Sequence, residues 1–113
     1  MKYHIEMSSV AESEADSAFL RLSQLTSSSQ ASQWYAGLLQ AIDSLSQMPK
    51  CCPLARDNEY FTQEIRQLLY GRGRNSSRIL FTILEGTEVF TVRILYIRHS
   101  VQQIFGENPE ETD

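Results

Sequence analysis

Ser77-Arg78-Ile79-Leu80-Phe81-Thr82-Ile83-Leu84 and Val89-Phe90-Thr91-Val92-Arg93-Ile94-Leu95-Tyr96-Ile97-Arg98-His99, joined by Glu85-Gly86-Thr87-Glu88, decide how this chain folds. Both runs are rich in β-branched and aromatic residues, and the glycine between them supplies the positive φ of a tight turn. They predict an antiparallel hairpin. With Glu85 opposite Glu88, Leu84 faces Val89, Thr82 faces Thr91, Leu80 faces Arg93 and Arg78 faces Leu95. Side chains alternate with period two, so one face collects Ile79, Phe81, Ile83, Phe90, Val92, Ile94 and Tyr96. That face is the expected core. The other carries Arg78, Thr82, Thr91, Arg93 and His99 among Leu80, Leu95 and Ile97, a mixture that predicts contact with solvent or a polar partner.

Upstream, Lys2 to Met7 alternates, with Tyr3, Ile5 and Met7 on one side, and predicts a first strand. Ser9-x-x-Glu12 has the form of a capping box. Ala11, Ala15, Ala18, Phe19, Leu22 and Leu25 follow at helical spacing. After Thr26-Ser27-Ser28-Ser29, a second helix is expected from about Gln30 to Gln47, with Ala31, Trp34, Leu38, Ala41, Ile42 and Leu45 inward and Pro49 beyond its end. Residues 49–61 read as an irregular connection. Glu64 to Tyr70 reads as a third β-run, although seven residues do not exclude a helix. Gly71-Arg72-Gly73-Arg74-Asn75-Ser76 is a basic turn without the spacing of a nucleotide loop. The order β-α-α-β-β-β predicts an α+β domain over residues 1–105, with a helical hairpin on one face of a curved sheet and the other face open. Residues 106–113 read as a disordered acidic tail.

The chain has 113 residues, 42% hydrophobic and 21% charged, which suits one ordinary globular domain. No apolar run is long enough to span a membrane and no secretory leader is visible, so a cytoplasmic location is expected. The net charge of −4 is uneven: residues 1–49 carry −3, residues 50–99 carry +3 and the tail carries −4. An acidic chain argues against nonspecific nucleic-acid binding, yet its positive half coincides with the polar sheet face. Adjacent Cys51 and Cys52 have no zinc spacing and cannot staple distant segments. No metal or organic cofactor is expected.

Five stretches together resemble the RelE/ParE superfamily of toxins from bacterial type II toxin–antitoxin modules. They are the first strand with Ala11-x-x-x-Ala15; Leu45-Ser46-Gln47-Met48-Pro49; Glu64-Ile65-Arg66-Gln67-Leu68; Ser77-Arg78-Ile79-Leu80-Phe81; and Val92 to His99. The resemblance spans about residues 2–105. It implies a toxin that arrests growth and aids plasmid stabilization, a cognate antitoxin held in a toxin–antitoxin hetero-oligomer, and no membrane association. RelE-type members cleave messenger RNA on the ribosome, and the resemblance would then give Arg78, Arg66 and His99 catalytic roles around the phosphate. Glu64 stands where such nucleases carry a lysine, and Phe105 where they carry a tyrosine, which cannot be replaced as a proton donor by a phenyl ring. ParE-type members instead bind DNA gyrase and need no catalytic acid, so the resemblance favours that branch. Its alternatives are a ribosome-dependent endoribonuclease with an altered catalytic set and an inactive member. Target binding falls to Arg66, Arg72, Arg74, Arg78 and Arg93, on the expectation that 66, 78 and 93 project together from the open face. On that expectation Arg78→Ala abolishes toxicity and leaves the fold intact.

Overall fold

The computed structural model describes residues 2–71 and 76–99. Its elements are β1 (His4–Met7), α1 (Ser9–Leu25), α2 (Ser28–Asp43), β2 (Arg66–Tyr70), β3 (Ser77–Glu85) and β4 (Phe90–His99), with single 3-10 turns between α2 and β2. The four strands form one open sheet in the order β1-β4-β3-β2, with β1 parallel to β4 and the other pairs antiparallel. The expected α+β arrangement is therefore present, and Glu64 to Tyr70 supplies a strand.

Helix starts follow capping chemistry. The Ser8 hydroxyl accepts the Ala11 N–H and Ser27 accepts that of Gln30, each satisfying an orphan donor of the first turn. The first cap is thus Ser8 and not Ser9, because Ser8 Oγ also donates to the Leu95 carbonyl at 2.9 Å and ties the helix start to β4. α2 ends at Asp43, earlier than expected, and continues as a 3-10 turn. Met48 then takes the left-handed conformation, φ 52°, and reverses the chain into Pro49.

The helices bury Ala11, Ala15, Leu38, Ile42 and Leu45 against Ile79, Phe81, Val92, Ile94 and Ile97 of the sheet. Burial of such side chains stabilises by about 1.5–3 kcal/mol each for the larger ones. Three features of the hairpin differ from expectation. Glu85 pairs with Phe90 and Leu84 with Thr91, so the register lies two residues from the expected one and keeps the same faces. Gly86 has no positive φ; among the described residues the glycine with that conformation is Gly71. Space is tight at Gly86, where a Cβ would meet the Val89 carbonyl oxygen at 3.1 Å and that oxygen, which accepts the Gly86 N–H, would have to give by a few tenths of an ångström.

The third difference is a β-bulge. Phe81 pairs with Ile94 but Leu80 pairs with Tyr96, so Leu95 is an extra residue on β4. Beyond it the alternation inverts. Tyr96, expected in the main core, lies on the opposite face with Leu80 and Leu95, and Ile97, expected outside, packs under the helices.

That opposite face is not open. The connection between α2 and β2 folds over it. Ala55 and Ile65 are buried with Leu80, and Phe61, Leu95 and Tyr96 pack around them. The segment is laced down by Ala55 N–H to the Ile65 carbonyl, Gln67 N–H to the Pro53 carbonyl and Thr82 Oγ1 to the Glu64 carbonyl. The acidic tail expected at 106–113 lies outside the described residues.

Candidate functional site

Arg78 and Arg66 point to opposite faces. Arg66 pairs in register with Phe81 and so shares the helix side, whereas Arg78 pairs with Leu69 and Arg98 on the other. The expectation of three guanidinium groups projecting together is therefore corrected. Arg66 Nη1 donates to the carbonyls of Cys52 (2.6 Å) and Lys50 (3.3 Å), and Nη2 lies 3.2 Å from Glu64. It holds the turn that follows α2. Burial pushes the neighbouring Cys52 thiol up, with Arg66 opposing the shift.

Arg78 is only 1% exposed. Its Nη2 meets Asp57 Oδ1 at 2.7 Å, with Asp57 at 0% exposed, and its Nε donates to Gln67 Oε1 at 3.3 Å. Arg98 stands directly across the β3–β4 ladder from Arg78, and like charges so placed repel. Each has its own carboxylate: Asp57 for Arg78, and Glu14 of α1 for Arg98 at 2.6 Å, with the Arg98 guanidinium 5.2 Å from the Tyr96 ring centre. Arg93 is half exposed and pairs with Glu6 of β1. Arg72 and Arg74 lie outside the described residues, as does Phe105.

His99, expected on the polar face, is turned by the bulge to the helix side. There it lines a groove of 630 Å³ between the C-terminal half of α1 and the end of β4, with Ala18, Leu22, Trp34, Ile97 and Arg21. The volume is typical of a binding cleft, and its apolar floor with a charged rim suits a polypeptide or other amphipathic ligand. Trp34 thus belongs to both the core periphery and the groove wall. The pairing of Glu14 with Arg98 at the groove's strand end escaped the sequence pattern, because the two lie far apart along the chain and only the tertiary fold joins them.

A surface cluster lies at the opposite end of the sheet. Lys50 Nζ is 2.8 Å from Glu85, which also accepts the Tyr3 hydroxyl at 3.2 Å. The hydrogen bond from Lys50 lowers the Glu85 pKa, and the same contact raises that of Lys50. The contact stabilises above the ordinary carboxylate range and is lost as pH falls through the depressed Glu85 value. On the alkaline side it is lost as pH rises through the raised Lys50 value. Lys50→Ala moves the Glu85 midpoint up toward its ordinary value, read by carbon-detected NMR titration; an unmoved midpoint would show the pair is not formed in solution.

Against solved structures, the chain is similar to "Chromosomal ParDE TA system from P. aeruginosa", with a TM-score of 0.67 and 17% identity over 87% of this chain and 96% of that chain. At that identity the likeness is one of fold. No protein-family model matches the chain, and no curated protein does. Among the described residues no helix is long and apolar enough to cross a membrane.

Proposed function

We propose that the chain is the toxin of a type II toxin–antitoxin pair, acting in the cytoplasm and arresting growth by binding DNA gyrase. Likeness in fold to a chain of the ParDE system supports the module. The buried Arg78–Asp57 pair supports binding over nuclease chemistry, because it is the observation that bears most directly on mechanism. A phosphate-stabilising arginine must reach the developing charge with its hydrogen-bond donors unspent. Arg78 is spent on Asp57 and Gln67 beneath a covering segment, and Arg66 is spent on backbone carbonyls at the opposite face. Arg93, with Arg72 and Arg74, is the candidate set for contacting the target. The cognate antitoxin occupies the groove between α1 and β4, and the two chains form a hetero-oligomer.

Purified protein incubated with gyrase, ATP and supercoiled plasmid is expected to accumulate linear DNA after detergent and protease treatment, while messenger RNA on translating ribosomes stays intact. Arg93→Ala weakens the plasmid effect without lowering thermal stability, since Arg93 and Glu6 form an exposed pair of a class contributing about 0–1 kcal/mol. Cuts within ribosome-bound codons, with gyrase unaffected, would replace this function by the nuclease one.

A further inference from the structure

Cys51 closes the 3-10 turn Pro49–Cys51 and Cys52 follows it, where the chain leaves α2 for the covering segment. Both thiols are free; Cys51 is exposed, and Cys52 is half-buried and packs against the main core. The backbone that carries them is fixed from both sides. The Cys51 N–H donates to the Met48 carbonyl and the Cys52 N–H to that of Pro49. Arg66 Nη1 takes the Lys50 and Cys52 carbonyls, one on each side of Cys51. Arg66 also brings a permanent positive charge to the turn. Its partner Glu64 is largely exposed, so water screens that pair. Its Nε is buried and has no acceptor among the described residues.

We propose that Cys51 and Cys52 together chelate one monovalent soft metal ion, of which copper(I) is the biological case. Thiolate sulfur selects soft ions. Zinc instead completes a set of four ligands, and among the described residues no cluster of three or more metal-ligating side chains exists. Charge then selects the valence. Two thiolates carry two negative charges, a monovalent ion leaves one of them, and Arg66 balances it. A divalent ion would leave a neutral centre with the guanidinium beside it. A disulfide between neighbours strains the intervening peptide, whereas an ion inserted between the sulfurs lengthens the bridge and relieves the strain. Two S–H protons pass to solvent as two metal–sulfur bonds form, and the ion keeps its oxidation state. The site lies on the turn and is independent of the toxin assignment.

The test titrates the whole reduced chain under nitrogen with copper(I), supplied as its acetonitrile complex, against bicinchoninate as a coloured competitor. The chain is expected to withdraw one copper(I) ion per chain, with a rise in thiolate-to-metal absorption in the ultraviolet. Native mass spectrometry is expected to show a monomer that gains one copper and loses two protons. Cys51→Ser and Cys52→Ser each weaken retention at least about a hundredfold, since a hydroxyl keeps its proton and is a hard ligand. Cys51 is exposed, so Cys51→Ser leaves the fold in place. Arg66→Gln weakens retention about tenfold, the scale of an outer-shell partner, and Arg66→Lys, which keeps the charge, weakens it less. Copper left wholly with the competitor, full retention in either serine variant, one ion shared between two chains, or tighter binding of zinc(II) would overturn the proposal. Equal losses in Arg66→Gln and Arg66→Lys would overturn the charge balance that selects a monovalent ion.

Discussion

Asp57→Ala is expected to lower stability by about 3–5 kcal/mol, because it leaves the Arg78 guanidinium buried without its counter-charge. At roughly 4–8 °C per kcal/mol for a domain near this size, the thermal midpoint falls far enough to be unmistakable by circular dichroism. Arg78→Ala also lowers stability, since it takes the guanidinium from Asp57, which is itself at zero exposure. Loss of toxicity in Arg78→Ala therefore reports a weakened fold, contrary to the expectation from sequence that this variant stays intact. Replacing both partners by apolar residues of similar volume, Asp57→Leu with Arg78→Met, recovers most of the loss, since removing a buried pair together is often neutral. A double variant as unstable as either single one would show that the ion pair is not what holds the 53–65 segment over the sheet.

Gly37→Ala is the second large effect. An alanine in a helix interior normally gains up to about 1 kcal/mol over glycine. Here its Cβ would lie 2.1 Å from the Tyr70 hydroxyl oxygen and 3.1 Å from the carbon that bears it. The hydroxyl cannot simply move away, because it donates to the Trp34 carbonyl at 2.8 Å, and burial raises its pKa so that it keeps its proton. The clash costs about 1–3 kcal/mol and reverses the usual sign. Tyr70→Phe alone loses about 1 kcal/mol for the hydrogen bond. In the double variant the phenyl ring leaves room for the methyl group, so the two costs do not add, and chemical denaturation of the four proteins measures the coupling. Additive losses would place the Tyr70 hydroxyl elsewhere in solution.

These two sites show where sequence reasoning held and where it did not. Local patterns carried the fold far: helical spacing placed Ala11, Ala15, Leu38 and Ile42 inward, and period-two alternation placed Ile79, Phe81, Val92 and Ile94. Those signals depend only on neighbours a few residues away. The Arg78–Asp57 contact spans 21 residues and crosses an irregular segment whose path no periodicity describes. Asp57-Asn58 reads as ordinary turn composition, yet Asp57 neutralises Arg78 and Asn58 Oδ1 accepts the Ile65 N–H at 2.7 Å. The polar sheet face pointed correctly to a polar partner for Arg78; that partner is this chain itself. Arg93 is the member of the expected trio that remains at the surface.

Leu95 turns β4 into a strand of two opposite parities. Odd and even positions exchange sides at a single inserted residue, so Val92 and Ile97 point alike although they are five apart. Deleting Leu95 would not shorten a loop; it would rotate the last four side chains of the strand by half a turn. Tyr96 would be driven beneath the helices, Ile97 into the covering segment, and His99 out of the groove altogether.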